Sequence, residues 1–412
     1  MFNDLWDKVQ LFTNTNLYWA IIGSIIGYVV PKVFDSITFS FKKKYQTYKI
    51  NKITTQVDDI ENVLGVEILN TGNKPYTSNG IDINVENQFF YISVPDDLIP
   101  KLEKKYSTES VKFFEFFEIH KDTGFNGADN FDEMAKQSGI NNLPELIETA
   151  RYEVANSFLK SENGLYFNAS KYGVWEIDFT SKFGNKETRH LSLSLYHTDY
   201  FTFKVTQNIY KKISKEYNLT KDITPTKLKK YNLFLSSFGI NALLLLKDKD
   251  MGDICIFSER SILASDTDKS NVYHITMNEG LNIDDKDPLD DKVRLSNCLE
   301  RGFWEELGLN NDYYAQDMTS DFHDLFLVKD SFQLGISASV FIKDMSFDDL
   351  YSRAEIAKDK KLEVGKLKPI NFDKKSIERF LINNEFIPYS KYIIARLCAH
   401  KGIFLNQRMI SK

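Results

Sequence analysis

The length, composition and charge of the chain restrict what it can be. Its 412 residues are too many for one ordinary hydrophobic core and predict two or three units at roughly 150 residues each. The hydrophobic content of 42% is that of a globular protein, and the formal charge of −6 argues against binding a nucleic-acid polymer, which leaves a basic footprint. The cysteines are odd in number and far apart; they are Cys255, Cys298 and Cys398. This excludes a disulfide framework and the spacing of a zinc site. It indicates a cytosolic location for most of the chain.

The first predicted element is a membrane-spanning helix over residues 17–34. This stretch, LYWAIIGSIIGYVVPKVF, has Lys32 as its only charge, and as a helix it extends about 27 Å, close to the ~30 Å hydrocarbon layer of a bilayer. A cleaved signal peptide and a buried helix of a soluble domain are the alternatives. The acidic start, with Asp4 and Asp7, and the missing small-residue cleavage site argue against the signal peptide. We therefore predict a transmembrane anchor over residues 1–40.

Basic residues on the C-terminal side of this helix predict its orientation. Positive charge that flanks a membrane helix stays in the cytoplasm, and lysines follow the apolar stretch at Lys42, Lys43, Lys44, Lys49 and Lys52. The sequence therefore predicts a single-pass protein of the inner membrane, in contact with membrane lipid, with the bulk of the chain in the cytoplasm.

Small residues cluster on the surface of the same helix. Ala20, Gly23, Ser24 and Gly27 lie close together there, and small residues four apart let two helix backbones approach closely in lipid. Glycine is also simply common in transmembrane helices, which is the alternative explanation. We take the four residues as candidate oligomerisation positions, and they predict a homo-oligomer.

Residues 41–165 are predicted to be a linker followed by a small β/α region. The β-like runs at 63–69, 81–85 and 89–94 are separated by turn-rich or polar residues, which indicates a small antiparallel β unit. A helix is expected over residues 145–159, because the proline directly before it suits the first turn of a helix.

Residues 166–412 are predicted to form a larger mixed domain. Strand patterns occur at 174–179, 191–196 and 201–205, and a helix is expected around 207–216. A hairpin follows, in which the apolar run 242–246 and the run 254–257 flank a polar turn; it ends near Arg260 and Ser261.

A segment beyond the hairpin resembles the signature of the Nudix family. That signature ends R-E-U-x-E-E-x-G-U, where U is aliphatic; the matching residues are Arg301, Glu305, Glu306, Gly308 and Leu309, with Phe303 at the first aliphatic place. The hairpin that ends in an Arg–Ser pair looks like the strand pair that enters such a motif. The resemblance implies a Nudix-like α/β/α sandwich over residues 166–412. The expected fold class is thus α+β, with an N-terminal transmembrane helix, a small β-rich middle region and this C-terminal sandwich.

One position of the motif lacks the residue that its chemistry needs. Residues three and four apart share a helix face, and three glutamates so arranged bind the magnesium ions that clamp a diphosphate and activate water. Gly302 stands in place of the first of them. Counting back from Arg301, the opening glycine of the motif falls on Asp287 and its upstream glutamate on Val293. The nearest acidic substitutes are Glu300, Asp290 and Asp291. We expect a pocket that binds without hydrolysing, and some hydrolysis in a Gly302→Glu variant if the other ligands are in place.

Four side chains are candidate ligands for a nucleotide or its metal ion. Arg260 and Arg301 are candidate phosphate partners, because a guanidinium binds phosphate oxygens in a bidentate manner. Glu305 and Glu306 are candidates for residual Mg²⁺, the cofactor that the motif implies. A structural bond within the loop–helix unit is the alternative for Arg301, and a solvated helix face is the alternative for the two glutamates. With Gly302 in the motif, the protein is not expected to be an enzyme.

A membrane helix joined to a degraded Nudix motif is similar to the membrane–Nudix effectors of bacterial CBASS antiphage systems, whose domain is called SMODS-associated. The resemblance implies that a partner nucleotidyltransferase makes a cyclic nucleotide on infection and that the Nudix-like domain senses it. The membrane segment would then oligomerise and disrupt the membrane, giving abortive infection. The alternatives are a membrane-anchored Nudix hydrolase of a nucleoside diphosphate derivative and a scaffold without a nucleotide ligand.

Overall fold

The computed structural model describes residues 65–70, 74–77, 80–107, 136–160, 168–180, 189–261, 272–310, 318–358 and 364–406. The predicted anchor and its candidate oligomerisation residues lie outside these ranges. Within the part of the chain that the structure describes, no helix combines the length and the apolar character needed to cross a membrane.

Strands and helices are mixed along the described chain. The strands are β1 (Val66–Asn70), β2 (Ile81–Phe89), β3 (Ser170–Thr180), β4 (His190–Asp199), β5 (Phe238–Asp248), β6 (Gly252–Arg260), β7 (Val272–His274), β8 (Met277–Gly280), β9 (Met318–Val328), β10 (Gln333–Ile342), β11 (Val364–Asn371) and β12 (Glu385–Phe386). The helices are α1 (Ile99–Ser107), α2 (Leu143–Lys160), α3 (Tyr200–Ile213), α4 (Pro225–Lys230), α5 (Leu295–Leu307), α6 (Phe347–Ala354), α7 (Lys374–Asn383) and α8 (Pro388–His400). The predicted α+β class is therefore confirmed at this coarse level.

A nine-stranded sheet forms the centre of the described structure. Its order is β1-β9-β10-β5-β6-β7-β12, with β11 paired to β6 and β8 paired to β5. β5 and β10 run parallel, and every residue of β5 except Lys247 is buried. This burial explains the continuous run of leucines, which is typical of a central parallel strand. The predicted hairpin is confirmed, since β5 and β6 pair antiparallel with Leu244 opposite Ile256.

The sheet divides along β5. This strand pairs with β6 over residues 244–248 but with β8 over residues 239–242. At the branch, the Thr276 hydroxyl donates to the Ile256 carbonyl oxygen and accepts from the Leu244 backbone N–H, the latter at 2.9 Å. The branch directs the chain out of β8 toward α5, the helix that contains the Nudix-like segment.

A three-stranded sheet is ordered β2-β4-β3. β2 pairs with β4 in parallel, whereas β1 joins the edge of the nine-stranded sheet by pairing with β9. The predicted antiparallel unit of runs 63–69, 81–85 and 89–94 is therefore wrong, because the two described strands from this region find partners far along the chain. Residues on both sides of the predicted domain boundary at 165/166 contribute to each sheet.

One predicted strand is a helix. Residues 201–205 lie within α3, and the Asp199 side chain caps that helix by accepting from the Thr202 backbone N–H at 2.8 Å. The alternating apolar pattern of the five residues suits a strand, but Phe201 and Val205 also recur at helical spacing and are both completely buried. Burial follows the helical period along the whole of α3, so the longer pattern decides.

Helices cover both faces of the nine-stranded sheet. α5 contacts β8 and β5, and α8 contacts β10, β5 and β9. Successive residues of a strand point to opposite faces of the sheet. On one face, Leu244 belongs to the same core cluster as Phe303 of α5. On the other face, Leu243 is buried outside that cluster, as is Ile393 of α8. The sheet therefore has a helical layer on each side, and α5 belongs to one of these layers.

Candidate functional site

The Nudix-like segment is a helix that ends in a left-handed glycine. Gly308 follows α5 with a φ of 67°. The Leu309 N–H donates to the Phe303 carbonyl oxygen at 3.2 Å and the Gly308 N–H to that of Trp304 at 3.0 Å, so two carbonyl groups of the last turns are satisfied. A Cβ at position 308 would lie 2.6 Å from the Arg353 carbonyl oxygen. This position therefore requires glycine.

Arg301 is held by groups of its own loop–helix segment. Its Nε and Nη2 donate to the two carboxylate oxygens of Asp285 at 2.8 and 3.0 Å, and Nη2 also donates to the Gly280 carbonyl oxygen at 2.8 Å. Nη1 lies 3.1 Å from a carboxylate oxygen of Glu279 and 3.1 Å from one of Glu305. Burial opposes the charge of Arg301, but Glu279 and Asp285 outweigh it and raise its pKa. The geometry is thus that of a structural bond, and a phosphate would compete with three carboxylates for the same donors.

Asp285 is one member of this cluster that sequence analysis missed; Glu279 is another. Asp285 is completely buried in a 3-10 turn, where its Oδ2 accepts from the Asn282 backbone N–H at 2.9 Å. A buried carboxylate needs a charged partner, and Arg301 provides one in a bidentate manner. The two residues lie 16 positions apart, so no local spacing marks the pair.

Gly302 packs closely against the Met277 and Glu279 side chains of β8. A Cβ at this position would lie 2.6 Å from the Met277 Sδ and 3.0 Å from the Glu279 Cβ. A glutamate here would have to displace both neighbouring side chains, which counts against the expected recovery of hydrolysis in Gly302→Glu. Glu279 brings a carboxylate to the same place, but its Oε1 faces Arg301 and accepts from the Gly280 backbone N–H at 2.9 Å.

The two glutamates of the motif lie in different environments. The two oxygens of Glu305 accept from Lys358 at 2.6 Å and from Arg301 at 3.1 Å, so a cation faces each of them. Glu306 is on the inner side of α5, with 2% of its surface exposed. Mg²⁺ requires several oxygens that converge on one point, and no group of three or more His, Cys, Asp or Glu able to hold a metal ion is found among the described residues. Magnesium at these two glutamates therefore stays a prediction of the sequence.

The acidic loop before α5 is bound by its own basic residues. The ion pairs are Asp287–Arg294 at 3.0 Å, Asp290–Arg294 at 2.8 Å and Asp291–Lys286 at 3.2 Å. Val293, at the place of the upstream glutamate, is buried. Glu300 is half-buried, and its burial raises its pKa. Asp290 and Asp291, two of the acidic substitutes named from the sequence, are thus engaged within the loop.

Arg260 lies at the end of β6 with 8% of its surface exposed. It is opposite Val364 of β11 and close to His274, whose pKa is lowered first by burial and then by the charge of Arg260. The structure brings Arg301 and Glu305 together and places Arg260 on a separate element, in the interior.

A second charged cluster, also missed by sequence analysis, is buried beneath α8. Asp324 of β9, with 1% of its surface exposed, accepts from Arg396 at 3.0 and 3.1 Å and lies 2.8 Å from the His400 Nε2 and 3.9 Å from Arg189. Burial disfavours its charge, but Arg396 and His400 outweigh burial and hold its pKa well below the usual range. Arg396 and His400 share α8, but Asp324 and Arg189 come from distant parts of the chain, which explains why no motif contains the cluster.

Comparison with known proteins adds no family assignment. No protein-family model matches the chain, and no curated protein matches it significantly. The Nudix resemblance therefore stays a prediction from the sequence of the segment around α5.

Proposed function

We propose that this protein is a membrane-anchored effector of the CBASS type that binds a cyclic nucleotide without cleaving it. The observation that carries the proposal is the packing of Gly302, because Met277 and Glu279 occupy the space that a side chain would need there. The loop, the helix and the glycine cap of a Nudix motif are kept, while the position of one metal-binding glutamate is filled by neighbours. A site of this kind favours binding over metal-dependent hydrolysis.

The sensing domain is proposed to be a Nudix-like α/β/α sandwich within residues 166–412. Its support is the mixed sheet with the parallel pair β5 and β10, with α5 on one face and α8 on the other. The strand–loop–helix order from β8 to α5 and the left-handed Gly308 agree with the motif that the sequence suggests. Arg301 then acts mainly by holding the loop in shape.

The membrane function is assigned to residues 17–34. A single helix cannot line a pore alone, so disruption of the inner membrane requires a homo-oligomer. Helices would associate through the small residues, which permit close backbone contact in lipid; these are Ala20, Gly23, Ser24 and Gly27. A nucleotidyltransferase would supply the cyclic nucleotide as a functional partner.

The test uses the full-length protein in detergent and in liposomes. We expect calorimetry to detect at least one cyclic di- or trinucleotide that binds with micromolar or tighter affinity, and the same ligand to trigger dye release. Arg301→Ala should lose both responses, because it leaves Asp285 buried without its partner. Arg294→Ala, which removes a half-exposed arginine from the same segment, is the control and should retain both responses.

Two outcomes would overturn the proposal. Magnesium-dependent turnover of a nucleotide that disappears in Glu306→Gln would establish the hydrolase instead. Failure of every mono-, di- and cyclic nucleotide to bind would establish the scaffold.

A further inference from the structure

A cavity outside the loop–helix segment has the lining of a phosphate site. It is an open depression formed by the segment that follows α3 and by α4, with a volume of about 430 Å³. Its lining includes three lysines, two tyrosines and one carboxylate, namely Lys221, Lys227, Lys230, Tyr217, Tyr231 and Asp222.

Lys227 fixes the turn that shapes this cavity. Its ammonium donates to the Asn218 carbonyl oxygen at 2.7 Å and also to the Lys221 carbonyl oxygen. Asn218 and Asp222 adopt left-handed backbone, with φ of 50° and 49°, which asparagine and aspartate tolerate better than most residues. The turn therefore has a defined geometry, and Lys221 and Lys230 are the cations that can face a ligand.

Cations outnumber anions around the cavity. Three lysines and one aspartate are among the residues that line it. Burial lowers the pKa of Lys227, the charges of Asp222 and Glu67 act against burial, and those of Lys221 and Lys230 act with it. Like charges held together repel each other, and a bound anion relieves that repulsion. A phosphate suits the site, because its oxygens accept charge-assisted hydrogen bonds from several ammonium groups.

The tyrosines add a second element of recognition. Tyr217 and Tyr231 both line the cavity, and the Lys230 ammonium lies 5.1 Å from the centroid of the Tyr231 ring. Aromatic side chains stack on nucleobases whatever the base, since every base has a π-face. We propose that this cavity binds a nucleotide, with its phosphate on Lys221 and Lys230 and its base against a tyrosine. The site shares no residue with the loop–helix segment and goes beyond the proposed function.

The experiment is a calorimetric titration of the full-length protein in detergent with AMP, inorganic phosphate and adenosine. AMP should bind more tightly than either of its parts. The double variant Lys221→Met with Lys230→Met should bind AMP about tenfold more weakly or worse. The matched control, Lys211→Met with Lys215→Met, removes the same charge from exposed lysines that do not line the cavity and should bind AMP like the wild type.

A further variant tests the base. Tyr217→Leu should weaken AMP binding and leave the affinity for inorganic phosphate unchanged. Equal AMP affinities in the two lysine double variants, or no AMP binding by the wild type in the millimolar range, would overturn the proposal. Titrating the same variants with a cyclic nucleotide separates this proposal from the proposed function. Loss of AMP binding alone counts against the cavity, and loss of cyclic-nucleotide binding alone counts against the proposed function.

Discussion

Replacing Asp324 with asparagine removes the negative charge from the cluster beneath α8 and keeps the size of the side chain. In the wild type this carboxylate receives both hydrogen bonds of Arg396 and lies close to His400 and Arg189. The variant leaves two buried guanidinium groups without a carboxylate. Breaking a buried ion pair in this way costs about 3–5 kcal/mol, which is a large part of the ~5–15 kcal/mol that stabilises an ordinary domain.

The effect of Asp324→Asn should depend on pH. The pKa of Asp324 in the folded protein is held below its ordinary value, because Arg396 and His400 outweigh burial. Its contribution to stability is therefore complete above the unfolded-state pKa of about 4 and is lost as the pH falls through the lower, folded-state pKa. The difference between the wild type and the variant should be largest near neutral pH and shrink progressively below about pH 4.

Urea denaturation of the full-length protein in detergent, followed by tryptophan fluorescence, measures this difference. Asp321→Asn is the matched control, because Asp321 lies on the same strand and forms an ion pair with Lys401 at 2.9 Å at the surface. An exposed pair contributes only about 0–1 kcal/mol. If both variants lose the same free energy of unfolding at neutral pH, the buried cluster does not stabilise the fold as described.

Three further results are expected. Gly302→Glu should lower the midpoint of denaturation, because it crowds Met277, and should show no magnesium-dependent hydrolysis of nucleotides; a stable and active variant would contradict the packing described for this position. Gly23→Leu combined with Gly27→Leu should leave cyclic-nucleotide binding intact in calorimetry and abolish dye release from liposomes, whereas persistent leakage would show that these glycines are not needed for assembly. The pKa of His323 is lowered from 6.5 to about 3, mainly by burial. The unfolded state therefore binds a proton at a higher pH than the folded state, and the free energy of unfolding should fall as the pH drops between these two values. His323→Gln should make denaturation less dependent on pH there, and an unchanged slope would assign it to other groups.

Sequence patterns predicted the elements whose structure depends on neighbouring residues. The leucine run of 242–246 gave β5 and its hairpin with β6, and the helix expected at 145–159 is α2. The run 201–205 fits two periods equally over five residues, and only the cap at Asp199 and the burial of the following turns favour the helix. The pairing of β1 with β9 depends on residues far along the chain, for which a single sequence carries no local signal.

The candidate site shows the same limit. The sequence identifies Gly302 as a departure from the motif, but only the fold shows that Met277 and Glu279 fill the space beside it. For Arg301 the sequence leaves phosphate binding and a structural bond equally open. The decisive residue is Asp285, whose carboxylate is carried to Arg301 by a 3-10 turn.

The position of β1 constrains the order in which the protein can fold during synthesis. β1 is complete at Asn70, yet its partner β9 extends from Met318 to Val328. At a translation rate of roughly 5–20 residues per second, β1 waits roughly 10–50 s for that partner to leave the ribosome. The strand is short and carries Glu67, and both properties discourage pairing with the wrong chain in the meantime. The first described strand of the sheet thus pairs only after most of the chain has been made.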